Sequence, residues 1–591
     1  MKNSESDIVI VGAGISGLYC SWKLLKKDPN IKITLLERSN RIGGRIESVK
    51  LNGFFAEFGP MRFERRQLQF KEIGGQVKFQ NLLDELDMNN LNYIDKFVPY
   101  STEIIDLSKY SLTNSERVCT DAKQLMKLGI YRLLENYRIT VSKKERYFVY
   151  NEIDHINNKT WINNLTEEDF KHMRREAKYV NRRRINKVKE NNENNEDFTT
   201  FPYTIELYKL GIWNALSYVL SYDAIKVIKD NGNFYHLLNE NPNAIEWIIF
   251  WLRGFNEKDE LYTIKGGVSQ IVNKLHNKLL QFKDRFKLIK GVEVSKLEQT
   301  ESKAKIYFNN SQDSIIANHV ILTIPKEPLL KLNDSLTEVH NEIESVFGFP
   351  LLKCFYVVEN PWWNENTPVH TRASSIPARE IHYSNARNSK SNSNEGMVLL
   401  YMDRPYREYW TNYVKDKAVQ EKAEIYNSEC QRIDNETLLP IPVKDGLPPP
   451  AKALKDEFYK YLYSLNQDNG SNKEEMIKII TANTSLSEED KKNKIEYLEQ
   501  MVDQNSNMNQ RMKVLYYGIR DWGKPPYGAA CHSWKPGAQS WKVLEKLKAF
   551  SLTNNNENKI FHICGEAYCD YNGFIEGSLR SSDDVLETIM G

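Results

Sequence analysis

The chain has 591 residues, more than a single hydrophobic core can organise, so two or three closely packed domains are expected. Its 81 Lys and Arg residues nearly balance its 79 Asp and Glu residues, and a formal net charge of +2 argues against a nucleic-acid partner or attraction to an anionic membrane. The seven cysteines are sparse and lack zinc-ligand spacing, which argues against a metal site or a disulfide framework and favours a reducing compartment.

The two most apolar stretches of the chain also bear on its location. Residues 7–11 follow the first methionine so closely that no room is left for a secretion signal. Residues 247–252 are far fewer than the ~20 that a membrane-spanning helix needs, and they predict a buried helix or a pocket wall. We therefore expect a cytoplasmic protein without a membrane segment.

A strand, a glycine-rich turn and a helix are predicted near the amino terminus. The apolar run at residues 8–11 is followed by Gly12, Gly14 and Gly17 and then by helical apolar spacing. Gly12 permits the tight turn, Gly14 lets a pyrophosphate approach the helix N-terminus, and Gly17 allows close helix-to-strand packing. A second predicted strand ends at Glu37, where a carboxylate can bind ribose hydroxyls. This order predicts a dinucleotide-binding α/β fold.

The segment directly after Glu37 resembles the second FAD signature of the flavin amine oxidase superfamily. It carries Arg38, Gly44 and Arg45, and in that family such arginines and glycines run beneath the pyrophosphate and the flavin. The resemblance implies FAD as the cofactor rather than NAD.

The other half of the predicted cofactor site lies near the carboxyl terminus. A short apolar strand at residues 559–564 is followed by Gly565 and Glu566, at the end of a strand where cofactors bind in such sheets. In the family, the matching glutamate hydrogen-bonds the ribityl chain. The family's Gly-aromatic pair against the flavin ring corresponds to Gly573 and Phe574, followed by Ile575; related amino acid oxidases usually carry Trp in place of this Phe.

The resemblance spans most of the chain and implies an α/β fold in three parts. These are a discontinuous, Rossmann-like FAD-binding domain of the glutathione reductase type, a mixed-sheet substrate-binding domain and a helical subdomain. The predicted ranges are 1–70, 260–330 and 512–591 for the FAD-binding domain, 71–129 and 331–511 for the substrate-binding domain, and 130–259 for the helical subdomain. Val294 is implied to meet the adenine through its backbone.

The substrate side has to be inferred separately, because one fold hosts many functions. The Gly-Pro-Met-Arg motif at residues 59–62 resembles microbial L-amino acid oxidases and the related amino acid monooxygenases. There the arginine forms a forked ion pair with the substrate carboxylate, which lysine cannot reproduce. Gly59, Met61 and Arg62 are thus assigned to the site. The alternative is that Arg62 pairs with an internal carboxylate such as Glu57.

Four further residues are assigned to the reacting end of the site. Tyr401 stands where the family places its substrate-binding phenol, although a core tyrosine with a satisfied hydroxyl is the alternative. Lys353 lies in a strand too apolar to hold a cation without a reason. Family members hold a lysine here that anchors a water beside flavin N5 and helps oxygen react; the alternative is an edge lysine directed to the surface. Trp522 and Phe574 are expected to wall the pocket.

The resemblance implies an FAD-dependent L-amino acid oxidase in which Arg62, Tyr401 and Lys353 are the catalytic residues. Hydride passes from the α-carbon of the amino acid to the flavin, and oxygen reoxidises the flavin to give hydrogen peroxide. The imino acid then hydrolyses to a 2-oxo acid and ammonia. An L-amino acid and O2 are thus the expected partners, and homo-oligomers are common in the family.

Several alternatives stay open at the level of sequence. An amino acid 2-monooxygenase would decarboxylate the intermediate to an amide, an amine or polyamine oxidase would act on substrates without a carboxylate, and a flavin-bearing scaffold would not turn over. Cys531 resembles the position at which monoamine oxidases attach FAD covalently, whereas amino acid oxidases usually bind FAD non-covalently.

Overall fold

The structure is a computed structural model. It describes residues 4–51, 54–64, 76–97, 107–134, 138–141, 144–147, 166–180, 204–231, 240–254, 261–309, 312–332, 334–359, 370–371, 377–385, 395–413, 513–553 and 558–591, together with eight single positions between 477 and 496. Most of the range 414–511, which was predicted to belong to the substrate-binding domain, lies outside the described residues.

The strands of the described residues, in chain order, are β1 Ser4–Val11, β2 Ile33–Glu37, β3 Ser48–Leu51, β4 Phe54–Glu57, β5 Phe63–Glu64, β6 Ile94–Lys96, β7 Arg138–Val141, β8 Lys144–Tyr147, β9 Lys178–Val180, β10 Thr204–Glu206, β11 Leu261–Ile264, β12 Phe286–Lys290, β13 Val294–Thr300, β14 Lys303–Phe308, β15 Ser314–Leu322, β16 Val346–Phe349, β17 Leu352–Glu359, β18 His370–Thr371, β19 Glu380–Asn385, β20 Glu395–Met402, β21 Lys513–Asp521, β22 Cys531–Trp534 and β23 Phe561–Ile563.

The α-helices of the same residues are α1 Ile15–Lys27, α2 Val77–Glu85, α3 Ala122–Leu134, α4 Glu167–Glu176, α5 Ile212–Ser217, α6 Tyr222–Asn231, α7 Ala244–Gly254, α8 Ser269–Leu279, α9 Lys326–Lys331, α10 His340–Glu344, α11 Tyr406–Tyr413, α12 Ser540–Lys548 and α13 Ile575–Met590.

The largest sheet is built around five parallel strands, in the order β12, β2, β1, β15 and β23. The antiparallel hairpin β13–β14 pairs with the amino-terminal half of β15. Residues 8–11 of β1 are all buried, as expected for a parallel strand covered on both faces. The predicted α/β fold class with a Rossmann-like sheet is confirmed.

The carboxyl ends of the parallel strands place the predicted cofactor motifs at one edge of this sheet. Gly12 follows β1, Glu37 ends β2, and Gly565 lies shortly after β23. Because parallel strands end at the same edge, three segments far apart in sequence converge there.

A second sheet has the order β18–β19–β20–β17–β21, and every described pairing in it is antiparallel. Mixed pairing occurs instead in the larger sheet. Strand β21 falls within the range 512–591 that was predicted for the FAD-binding domain. It pairs with β17 along the whole length of that strand, so by its hydrogen bonding it belongs to the second sheet.

Helices α3 to α7 contribute to one apolar cluster. This cluster already includes Leu112 and residues throughout α3, so the helical unit begins before the predicted residue 130. The apolar patch at residues 247–252 lies in α7 and is buried, as predicted. Among the residues that the structure describes, no helix combines the length and the apolar character needed to cross a bilayer.

Candidate active site

One cavity runs along the edge where the parallel strands end and continues to the second sheet. Its empty volume, including its mouth, is about 1850 Å³. Its walls contain every predicted site residue except Gly17, namely Gly12, Gly14, Glu37, Arg38, Gly44, Arg45, Gly59, Met61, Arg62, Val294, Lys353, Tyr401, Trp522, Gly565, Glu566, Gly573, Phe574 and Ile575. Folding therefore brings these separate motifs into one continuous space.

The glycine turn after β1 has the backbone shape that close approach of a ligand requires. Gly12 has a φ of +103°, a conformation that side-chain-bearing residues rarely adopt. Gly17 is absent from the cavity wall; a methyl group there would collide with the carbonyl oxygen of Gly12. Its role is the close helix-to-strand packing that was predicted, rather than direct contact with a ligand.

Glu37 presents a fixed carboxylate at the end of β2. Its Oε2 accepts a hydrogen bond from the Ala13 amide at 2.8 Å, and its Oε1 accepts one from the Ser39 amide, also at 2.8 Å. The carboxylate is thus tied to the glycine turn at the cavity wall, where it can receive ribose hydroxyls while the N-terminus of α1 receives phosphate. These groups fit the adenosine diphosphate half of FAD.

The carboxyl-terminal motif adds a second fixed carboxylate. Glu566 forms an ion pair with Arg45 and accepts hydrogen bonds from His532 Nδ1 at 2.7 Å and from the Gly573 amide at 3.1 Å. Burial opposes ionisation of Glu566, but Arg45 and His532 outweigh it and hold the pKa of the carboxyl well below its usual range. The ion pair between Arg45 and Glu566 therefore joins the two predicted halves of the cofactor site.

Four charged or phenolic side chains form a row across the second sheet. Glu380 on β19 lies opposite Tyr401 on β20, Tyr401 lies opposite Lys353 on β17, and Lys353 lies opposite Arg520 on β21. Direct cross-strand partners share one face of a sheet. Tyr401 and Lys353 line the cavity, so this face of the sheet is the one that closes its reacting end.

Lys353 is a buried cation in the centre of this row. It lies on β17, between β20 and β21, and is only 3% exposed, so the alternative of a surface-directed edge lysine is wrong. Its Nζ donates to the backbone carbonyls of Glu57 at 2.9 Å and Gly59 at 2.6 Å. Burial lowers the pKa of Lys353 to about 7, although Glu57 acts in the opposite direction.

Arg62 reaches the cavity from the segment before β5. Its Nη1 lies 4.0 Å from Oε2 of Glu380, and its guanidinium carbon lies 5.7 Å from the centroid of the Phe97 ring. Arg62 thus forms an ion pair with an internal carboxylate, which is Glu380 rather than the predicted alternative, Glu57. Glu57 instead accepts hydrogen bonds from the Val268 amide at 2.9 Å and from Ser48 Oγ at 2.7 Å.

Aromatic rings enclose the reacting end of the cavity. Tyr401 is buried, with its ring centroid 5.0 Å from Lys353 Nζ and 4.5 Å from the guanidinium carbon of Arg379. Trp522 donates from Nε1 to the Phe58 carbonyl at 2.7 Å. Phe574 packs against Phe250 of α7 with ring centroids 5.5 Å apart, so the helical unit supports this wall.

Cys531 also lines the cavity, at the start of β22. Its side chain is buried, and burial raises the pKa of the thiol above its ordinary value. A thiol is a weaker nucleophile than a thiolate, so this environment does not favour covalent attachment.

Several buried polar or charged side chains beside the predicted residues were missed at the level of sequence: Glu47, Arg379, Glu380, Arg520 and His532. Arg520 lies over the Trp522 ring at 4.3 Å and pairs with Glu47 at 3.1 Å. The available signal was the placement of a charged residue within a largely apolar strand, as at Arg520 in β21. That signal alone does not distinguish a cavity wall from the surface.

The sequence profile of the family described as flavin containing amine oxidoreductase matches residues 15–430, more than half of the chain. The chain belongs to this family. FAD is therefore the cofactor of this flavin amine oxidoreductase, in agreement with the fit of the glycine turn, Glu37 and Glu566.

Individual relatives of this flavin amine oxidoreductase match it over different lengths. An L-amino-acid oxidase from Sistrurus catenatus edwardsii is 23% identical over 418 residues, which cover 67% of this chain and 65% of that protein. A coproporphyrinogen III oxidase from Staphylococcus aureus (strain NCTC 8325 / PS 47) is 39% identical over 70 residues, 12% of this chain and only 15% of that protein.

A solved structure of a putrescine oxidase triple mutant aligns over 100% of this chain and 99% of that chain. Its TM-score is 0.51 and its sequence identity is 15%. At that identity, the likeness shows the fold of the flavin amine oxidoreductase and not its substrate.

Proposed function

We propose that this flavin amine oxidoreductase is an L-amino acid oxidase. The observation that carries the proposal is the position of Arg62, which lines the same cavity as Tyr401 and Lys353. The planar donors of a guanidinium on a cavity wall match a carboxylate. The α-carboxylate of an amino acid is such a ligand, and the L-amino-acid oxidase among the relatives supports the same substrate class.

The binding step is assigned to Arg62 and Tyr401. Arg62 donates to the substrate carboxylate, and the Tyr401 hydroxyl is a second donor on the adjoining wall. Two donors fix the carboxylate and so orient the α-carbon and its hydrogen for transfer. FAD, when bound, supplies the two-electron oxidation and passes the electrons on to oxygen.

Trp522, Phe574 and Lys353 set the environment of the reacting atoms. The two aromatic side chains line the cavity and reduce the access of water to the amine. Lys353 has a pKa of about 7, so near neutral pH it is present in both its charged and its neutral forms. In its charged form it stabilises the negative charge that develops as oxygen is reduced.

A second candidate function is oxidation of amines that lack a carboxylate. It is favoured by the ion pair between Arg62 and Glu380, because Glu380 already offers the arginine an anion inside the protein. In that case, Arg62 would be a structural residue of the cavity wall.

The experiment that separates these candidates is an oxidase assay on the FAD-loaded protein. Each L-amino acid is tested beside the amine formed by removing its carboxylate, with hydrogen peroxide and organic products measured together. We expect peroxide and a 2-oxo acid from amino acids, and little turnover of the matching amines. Turnover of amines alone would overturn the proposal, and formation of an amide with release of carbon dioxide would identify a monooxygenase instead.

A further inference from the structure

Glu380 is a charged residue beside the reacting end of the cavity to which the proposed mechanism gives no role. It begins β19, lies directly opposite Tyr401, and is only 1% exposed. It is absent from the cavity wall. A carboxylate so placed cannot touch a substrate, and any effect on the substrate must pass through a neighbour that does line the cavity.

The neighbour that does so is Arg62, whose Nη1 lies 4.0 Å from Glu380 Oε2. The carboxylate is also held by Arg379, with which it forms an ion pair through Oε1, and by His382, whose Nε2 lies 2.8 Å from Oε2. Glu380 therefore has a fixed position from which it faces the guanidinium of Arg62.

The surrounding charges keep Glu380 ionised. Burial opposes ionisation, but Arg379, His382 and Arg62 outweigh it and hold the pKa of Glu380 below its usual range. Arg379 also pairs with Asp403, with Nε 3.0 Å from Oδ2. The formal charges of the two arginines are thus balanced by those of the two carboxylates before any substrate binds.

We propose that Glu380, acting through Arg62, competes with the substrate carboxylate for that guanidinium and makes the site select against amino acids with a second carboxylate. The inference rests on the proposed function, because it takes the ligand of Arg62 to be a carboxylate. Bound to Arg62, that carboxylate shares one guanidinium with the fixed anion behind it. Glu380 cancels part of the positive field of Arg62 and Arg379, so the site attracts a further negative charge on the substrate less strongly than it would without this anion.

The isosteric variant Glu380→Gln removes the charge and keeps the shape of the side chain. A unit charge about 8 Å from a bound carboxylate changes its affinity by roughly 3- to 30-fold at the effective dielectric of a protein site. We expect the Kd of benzoate, measured by calorimetry on the FAD-loaded protein, to fall by about that factor. KM for neutral amino acids should fall alongside it, with flavin reduction at saturation changed less than about threefold.

The specificity readout is the ratio of kcat/KM for L-glutamate to that for L-glutamine, which should rise in Glu380→Gln. The matched control is Asp403→Asn, which removes a buried charge from the same cluster but pairs with Arg379 rather than with Arg62. A purely structural role for Glu380 predicts weaker carboxylate binding in both variants and an unchanged ratio, and that result would overturn the inference.

A second variant, Glu380→Asp, keeps the inference testable if Glu380→Gln folds poorly. Glu380→Asp keeps the charge but withdraws it from Arg62. Benzoate affinity and the glutamate-to-glutamine ratio of kcat/KM should therefore rise as they do in Glu380→Gln, but by a smaller factor. No change in either readout would count against the inference. Failure of the proposed function looks different, because the unsubstituted protein would then form no 2-oxo acid from any amino acid. Oxidation of amino acids with no gain in carboxylate affinity in either variant overturns the inference alone.

Discussion

Lys353 and Tyr401 are direct partners across the antiparallel pair β17–β20, and Lys353 Nζ lies 5.0 Å from the centroid of the Tyr401 ring. Both line the cavity. The proposed substrate-binding phenol and the proposed oxygen-reactive cation are thus held by one stretch of hydrogen-bonded sheet. Substitutions at the two positions should therefore affect different steps of the reaction within one rigid frame.

We expect Arg62→Lys to retain FAD and lose most of the efficiency of flavin reduction by amino acids. Truncating one partner of a desolvated charged pair costs about 2–5 kcal/mol of transition-state stabilisation, which lowers kcat/KM roughly 30-fold to several thousand-fold. Anaerobic stopped-flow reduction measures this step apart from the reaction with oxygen. The matching amines should show no comparable penalty, and native reduction rates in the variant would make the arginine structural.

We expect Lys353→Met to slow reoxidation of the flavin by oxygen by about 100-fold or more while amino acids still reduce the flavin near the native rate. The reason is loss of a positive charge in a buried site where negative charge develops. Mixing the pre-reduced variant with oxygen in a stopped-flow instrument measures the effect. Because the pKa of Lys353 is about 7, native reoxidation should slow as pH rises through 7. A pH-independent native rate would contradict this role.

Glu57→Gln should change how the free energy of unfolding depends on pH. Burial raises the pKa of Glu57 from its ordinary value of 4.5 to about 7. Because the folded-state pKa is the higher one, this carboxyl contributes full stability below pH 4.5 and loses it as pH rises through 7. Glutamine does not titrate, so Glu57→Gln lacks this loss. The free energy of unfolding of the variant, relative to that of the native protein, should therefore rise by about 3 kcal/mol from pH 4.5 to pH values above 7.

Urea unfolding of both proteins across this pH range tests the prediction. Glutamine can still accept from the Val268 amide, as Glu57 Oε1 does at 2.9 Å, so the hydrogen bond is largely preserved. Parallel pH profiles for the two proteins would show that Glu57 titrates normally in the folded state.

Gly17→Ala should destabilise the fold, and Gly14→Ala should affect mainly FAD binding. A methyl group at Gly17 would collide with the Gly12 carbonyl oxygen, and overpacking of this kind typically costs about 1–3 kcal/mol. A methyl group at Gly14 would meet Gly44 Cα at 4.0 Å, an ordinary contact, but it lies on the cavity wall. Thermal unfolding of the FAD-free proteins and FAD content after purification separate the two effects. Equal melting temperatures for both variants would refute the packing role of Gly17.

Much of the cofactor site could be predicted from the sequence because its motifs are local. Gly12 and Glu37 lie at the ends of apolar strands that the sequence itself predicts, and the rule that parallel strands end at one edge brings them together. The same rule placed Gly565 and Glu566 in the cavity although they lie near the other end of the chain. Gly17 was predicted correctly as a packing residue, yet it does not line the cavity as its inclusion among the cofactor residues implied.

The substrate end was decided by tertiary structure, because it depends on which strands pair and in which register. The row from Glu380 through Tyr401 and Lys353 to Arg520 joins four separate strands, and a slip of one residue in any pairing would turn a side chain to the opposite face. Local spacing contains no information about that register. For the same reason, the sequence alone could identify Arg62 as a candidate anchor, whereas its buried partner Glu380 emerged only when the strands were paired.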